Sequence, residues 1–336
     1  MNARSFTLSA GRLHAALVLL CLAGIAASLT AGPSAVGLGA ALADLFNGAD
    51  TTAALIIGEI RLPRAILAAA VGAALGMSGA ALQGLLRNPL AEPAVIGVSP
   101  FAALGAVMAF YSGYANAHPL ALPLGGIAGA LVAVALLHLL AGRGGGVLTL
   151  VLAGVALANL AGALTSLALS LSPNPFALAE IVFWLLGSLA DRSMTHVGLA
   201  LPFIVAGCLT LATTGRELDA LTLGETTARS MGVRLGLLRF KVVAGTALAV
   251  GAGVAVSGSI GFVGLIVPHL LRPLVGWRPG GLLIPSALGG AALTLAADAA
   301  VRLPASGAEL KLGVLTALIG APFFLFMVLK SRSLAP

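Results

Sequence analysis

Apolar residues in this chain fall in long unbroken runs, not in the alternating patterns of a water-facing strand or amphipathic helix. The runs predict membrane-crossing helices near 15–31, 65–85, 94–111, 122–140, 147–170, 197–214, 238–257, 262–276, 282–301 and 311–329. About twenty residues at 1.5 Å each cross a hydrocarbon core of ~30 Å. A closed barrel would instead show short alternating segments. Two further stretches are too short to cross. Residues 37–46, "GLGAALADLF", predict an amphipathic surface helix, and 176–189, "FALAEIVFWLLGSL", a re-entrant or interfacial helix with Phe183 and Trp184 near headgroup level. The fold class expected is an all-α polytopic membrane protein, one transmembrane domain over 1–336, with the polar insert 218–236 inside it.

Composition supports that reading. Of the 336 residues 59% are hydrophobic and 9% charged, with a mean hydropathy of +1.09, whereas soluble domains carry roughly 25% charged residues. The net charge of +7 therefore gives no reason to expect a nucleic-acid partner; the distribution of Lys and Arg matters more, because it sets membrane orientation. With ten spans and both termini inside, the cytoplasmic side holds all but five of the 18 Lys and Arg; Arg61, Arg64, Arg192, Arg302 and Lys311 stay outside. The apolar N-terminal segment, preceded by Arg4 and Arg12, resembles a secretory signal, but with so many later spans an uncleaved first helix is expected. Cys21 and Cys208 lie in separate apolar runs and read as packing residues. No CxxC or HExxH is present, so no metal site is expected, and the scattered histidines do not form one.

The chain echoes itself. "AVGAALGMSGAALQGLLRNPL" at 70–90 aligns with "AVGAGVAVSGSIGFVGLIVPHL" at 249–270, matching Gly72 with Gly251, Ser78 with Ser257, Gly79 with Gly258 and Pro89 with Pro268. The copies begin in spans two and seven, which cross in opposite directions. That is the signature of an inverted repeat, here spans 2–5 against 7–10.

Three features carry chemistry or mechanics. In "LLRNPLAEPAVIGVSP", 85–100, Asn88, Pro89, Glu92 and Pro93 interrupt the apolar pattern. Broken backbone at membrane depth is tolerated where protein or a water-filled cavity satisfies it, so this stretch reads either as a tight loop or as a constriction at the inner mouth of a pathway. The longest polar stretch, "LDALTLGETTARSMGVRLGLLRFK", 218–241, predicts two short helices and a turn at Gly232; it is either a solvated loop or a docking element. Asp298 and Arg302 lie four apart at the outer end of span nine and can pair with each other. No GxxxxGK[ST] occurs, so ATP and Mg, if used, belong to a separate ATPase chain.

In "RLPR" (61–64), "RNPLAEPAVIGVS" (87–99), "LGETTARSMGV" (223–233), "SGSIGFVGLIVPHLLR" (257–272) and "LTALIGAPFFLFMV" (315–328) the chain resembles the FecCD family, the permeases of type II ABC importers for iron complexes and cobalamin. The resemblance implies a multi-pass permease of the bacterial inner membrane, both termini cytoplasmic, without enzymatic activity or bound cofactor of its own. It implies a homodimer or a pairing with a homologous permease, two cytoplasmic ABC ATPase subunits and a periplasmic substrate-binding protein. Leu223, Gly224, Glu225, Ala228, Arg229 and Gly232 match the coupling pattern, and Asn88, Pro89 and Leu90 the cytoplasmic gate. Arg61, Arg64 and Arg302 match positions where the outer surface receives carboxylates of the binding protein. Arg192 in the outer loop and the linker containing Pro304 depart from the pattern. The cargo implied is an iron complex, ferric siderophore or haem, with cobalamin as the alternative. An ion-coupled secondary transporter would want acids near the bilayer midplane, whereas Glu92 and Asp298 fall near span ends.

Overall fold

In a computed structural model the chain is described over residues 9–32, 34, 36–49, 51–113, 118, 120–142, 146–172, 175–303 and 310–332. Among these residues the regular structure is helical, without strands. Helix α1 is Ala10–Thr30, α2 Leu38–Phe46 and α3 Thr52–Leu86, the last containing a π-helical turn at Ile56–Arg61. Then come α4 (Val98–Tyr111), α5 (Ala121–Ala141), α6 (Val147–Ser170), α7 (Pro175–Leu185) and α8 (Met194–Ala212). The polar insert forms α9 (Gly215–Leu221) and α10 (Glu225–Ser230). Helices α11 (Leu235–Ser257), α12 (Val263–Leu271), α13 (Pro279–Val301) and α14 (Leu312–Arg332) complete the chain.

Each expected span has its helix. Seven are long and apolar enough to cross a bilayer, while α4, α12 with its 3₁₀ extension Arg272–Val275, and the Leu312–Met327 part of α14 are shorter apolar stretches. Span three begins later than the hydropathy run at 94 suggests. Residues 93–97 form turns, and α4 starts only after Gly97, whose φ of 78° lies in the left-handed region. Pro93 and Pro100 lack the N–H a continuous helix would need. The expected gap between spans seven and eight is present. The backbone leaves helix after Ser257, passes Gly258 at φ 68° and Phe262 at φ 67°, and re-enters at Val263.

Helices α3 and α11 are the buried centre of the bundle, with 83% and 78% of their apolar windows enclosed. They are the two first helices of the repeat, and their packing is reciprocal. Gly72 and Gly76 of α3 lie against the backbone of α13 at Gly290 and Ser286, and Gly251, the counterpart of Gly72, lies against Ala130 of α5. Thus the first helix of each half packs on the third helix of the other half, as a pseudo-twofold exchange requires. Where lipid gives helices no hydrophobic reason to associate, such close backbone approach supplies the van der Waals contact that holds them. The same device joins α4 to α5 at Gly105, Gly125 and Gly129.

A methyl group on Gly76 would overlap the Ser286 carbonyl oxygen, whereas one on Gly162 of α6 meets nothing nearby. Gly76→Ala is therefore expected to destabilise the folded chain by about 2–3 kcal/mol. Gly162→Ala is expected to change it by less than about 1 kcal/mol, since alanine also favours helix. Thermal unfolding of both variants in detergent distinguishes seam from surface.

Candidate functional site

The residues singled out by sequence fall at the two ends of the bundle. At one end the insert α9–α10 is bolted to the spans. Glu217 of α9 pairs with Lys241 of α11 at 3.2 Å. Asp219 accepts from Arg278 at 2.9 Å and from the backbone N–H of Gly280, in the first turn of α13, at 2.7 Å. Such a carboxylate satisfies an orphan donor at a helix start and suits the dipole there. In α10, Glu225 pairs with Arg239 of α11 at 2.9 Å and with Arg229 at 3.6 Å.

The expected coupling residues divide by role. Ala228 is fully buried against the core, fixing α10 to the bundle. Gly224 sits at φ 99°, ψ 155°, a region glycine alone occupies without strain, and opens α10. Gly232 at φ 88° closes it, with its N–H donating to the Arg229 carbonyl and that of Val233 to the Ala228 carbonyl. Outside lie Leu223 and Met231, each about 60% exposed, the Arg229 side chain and the hydroxyl-bearing Thr226, Thr227 and Ser230. A buried rear face and a mixed apolar, polar and basic front suit contact with a second protein.

The gate-turn residues lie at the same end. Arg87 at φ 49° terminates α3. The Asn88 side-chain oxygen accepts from the Leu90 N–H at 3.0 Å, forming an Asx turn around Pro89. Residues 87–90 are exposed, and the chain then turns inward through buried Ala91 and Ile96. Glu92 takes the backbone N–H of Phe262; burial pushes its carboxyl above the usual range, and that amide opposes the shift. The two backbone interruptions therefore meet. Pro268 removes the donor that the Gly264 carbonyl would have had in α12. The buried Gln83 amide of α3 replaces it, at 3.3 Å. Sequence reading passed over Gln83; a lone amide in an apolar helix was the available signal.

At the opposite end the three outer arginines do not stand free on a rim. Arg61 is 4% and Arg64 7% exposed. Arg61 donates to the carbonyls of Leu29 (2.8 Å), Thr30 (3.1 Å) and Ser34 (2.6 Å), capping the end of α1. Arg64 grips the fully buried Asp298 through Nε at 2.9 Å and Nη2 at 2.8 Å. Arg302 binds the other Asp298 oxygen at 2.8 Å and the Ser28 carbonyl and hydroxyl at 2.9 and 2.7 Å. The pairing of Asp298 with Arg302 is thus present, but Arg64 joins it from 234 positions away. Each of these three guanidiniums, expected to receive a partner's carboxylates, already holds internal acceptors. The contacts also fix direction, since the start of α3 meets the ends of α1 and α13.

A third junction went unread in the sequence. Gly187 after α7, Gly258 after α11 and Gly313 in α14 meet where the Ser188 N–H donates to the Ser257 carbonyl at 2.7 Å and that of Gly313 to the Gly187 carbonyl at 3.2 Å. Any side chain there would strike neighbouring backbone. Among the described residues no cluster of His, Cys, Asp or Glu could hold a metal ion.

The chain matches the FecCD transport family over residues 19–330. It is 39% identical to the vitamin B12 import system permease protein BtuC of Shigella boydii, covering 94% of each chain. It is 41% identical to the cobalamin import system permease protein BtuC of Halobacterium salinarum, over 85% of this chain and 76% of that one. Identity is also 41% with the ABC transporter permease protein YvrB of Bacillus subtilis, over 82% and 79%. A solved structure of a metal-chelate type ABC transporter in an inward-facing conformation superposes with a TM-score of 0.83 at 34% identity, covering 96% of this chain and 100% of that one.

Asp298→Asn leaves two buried guanidiniums without their counter-charge and is expected to cost about 3–5 kcal/mol of stability. The triple change Arg64→Met, Asp298→Leu, Arg302→Met should regain most of that loss, because no buried charge is then left uncompensated. Unfolding of the two variants in detergent checks the role of the cluster as a structural tie.

Proposed function

The chain belongs to the FecCD transport family, and from that premise we propose that it is the membrane-spanning subunit of an ATP-driven importer whose ATPase is a separate polypeptide. The observation that carries the reading is the insert α9–α10, a rigidly anchored element with exposed Leu223, Arg229 and Met231 and no nucleotide-binding loop anywhere in the sequence. In this reading Leu223 and Arg229 face the ATPase while Gly224, Glu225, Ala228 and Gly232 shape and anchor the element that presents them, two ATPase copies serving a pair of permease chains. A binding protein delivers cargo to the opposite end. We take the α10 end to be cytoplasmic, which the excess of Lys and Arg there supports, and the membrane to be the inner membrane of a bacterium.

Nucleotide-driven approach of the ATPases moves α10, and the ties of Glu225, Glu217 and Asp219 carry that motion into α11 and α13. The turn at Asn88, Pro89 and Leu90, linked through Glu92 to the interruption before α12, opens or closes the inner mouth. The pathway binds its cargo weakly; selectivity rests with the delivering protein.

For the cargo, cobalamin is supported by the two BtuC relatives, permeases of cobalamin and vitamin B12 import systems, at about 40% identity over most of the chain. An iron complex, ferric siderophore or haem, is the second reading, supported by the metal-chelate transporter that shares the fold.

Vesicles containing the chain, its ATPase and its binding protein should accumulate cobalamin only with ATP. Accumulation of a ferric siderophore or haem instead selects the second reading, and uptake persisting with a hydrolysis-dead ATPase overturns the importer assignment. Leu223→Asp with Met231→Asp is expected to weaken ATPase association at least tenfold while leaving the thermal stability of the permease unchanged, as measured by co-purification and unfolding.

A further inference from the structure

The α10 end also contains a cavity of about 220 Å³ between the last turns of α3, the start of α13 and the segment entering it. Two cations line it, Arg87 and Arg272, with Gln83 and Trp277 beside them. Gln83 spends its amide nitrogen on the Gly264 carbonyl left open by Pro268, so its oxygen faces Arg272 and accepts from that guanidinium. Arg272 is thereby fixed in orientation, yet its Nε is buried without a hydrogen-bond partner.

The local acids are engaged elsewhere. Glu217 is held by Lys241, Asp219 by Arg278 and the Gly280 N–H, Glu225 by Arg239 and Arg229, and Glu92 by the Phe262 N–H. Among the described residues no carboxylate forms an ion pair with Arg87 or Arg272. Two like charges facing one cavity, one of them partly desolvated, are costly unless an anion joins them. The cavity lies where the apolar spans α3 and α13 end, and Trp277, 66% exposed, stands at its mouth. Tryptophan at a span end marks the headgroup level, and basic pockets between helices at that depth suit phosphate-bearing headgroups.

We infer that this cavity binds a phosphate group through Arg87 and Arg272, either in the headgroup of an anionic phospholipid or as free phosphate. Two planar forks approaching from different segments suit an anion with several acceptor oxygens. Occupancy would neutralise the pair and join α3 to the segment that leads into α13, a link independent of which cargo is carried.

The test uses the purified full-length chain. Native mass spectrometry compares retention of phosphatidylglycerol with that of phosphatidylcholine, and thermal unfolding is followed with short-chain phosphatidylglycerol or with inorganic phosphate at matched ionic strength. Wild type should retain phosphatidylglycerol at least fivefold over phosphatidylcholine or be protected by inorganic phosphate. The pair Arg87→Gln, Arg272→Gln should abolish that preference or protection, and Arg234→Gln, outside the cavity, should keep it. Protection by the lipid alone assigns a headgroup, and protection by the inorganic ion assigns free phosphate. Should the double variant fail to fold, exposed Arg87→Gln alone should lower retention or protection two- to threefold. An unchanged response in a folded variant, or wild-type indifference to both anions, overturns the proposal.

Discussion

Helices in lipid are not driven together by the hydrophobic effect, because the hydrocarbon around them is as apolar as their own side chains. The seam between α3 and α13 answers that constraint, and the rest of the bundle is arranged about it. Gly72, Gly76 and Gly290 bring the two backbones into contact along the membrane, and Asp298 with Arg64 and Arg302 ties one end. The first component is close packing that any larger residue would break. The second is a charge cluster whose internal acceptors make burial tolerable. α1 is then held to the pair by Arg61 and Arg302 through its last carbonyls.

Much of this was legible in the sequence because hydropathy and glycine spacing record the solvent directly. The ten expected spans each found a helix, and the internal echo found a structural counterpart in the reciprocal packing of Gly72 on α13 and Gly251 on α5. Hydropathy failed at one interruption. Residues 93–97 are apolar enough to extend span three, but prolines and the left-handed Gly97 keep them out of helix. The break at 258–262 fell where the expected spans already left a gap, between 257 and 262.

Sites were legible to the extent that their chemistry is local. The coupling insert is polar and contiguous, and its two short helices and its Gly232 turn follow from propensity and turn chemistry. The outer arginines show the opposite case. As letters, Arg61, Arg64 and Arg302 are three cations on the less basic side of the membrane. Only the fold reveals that Asp298, far away in sequence, is shared by two of them. Gln83 escaped notice because its partner is a carbonyl, which has no signature in the sequence beyond the proline that freed it.

The contacts of α13 also have a mechanical reading. Its first turn is gripped by Asp219 of the insert and its last by Arg64 through Asp298. A helix of 23 residues spans about 34 Å between those grips. On the proposed function, thrust delivered at the Gly280 end would act on a lever whose far end is pinned, so the helix would swing about the charge cluster instead of sliding past it. Displacement would then be greatest at the α10 end and smallest at the opposite one, and a single stroke could open one side of the barrier while the other stays shut.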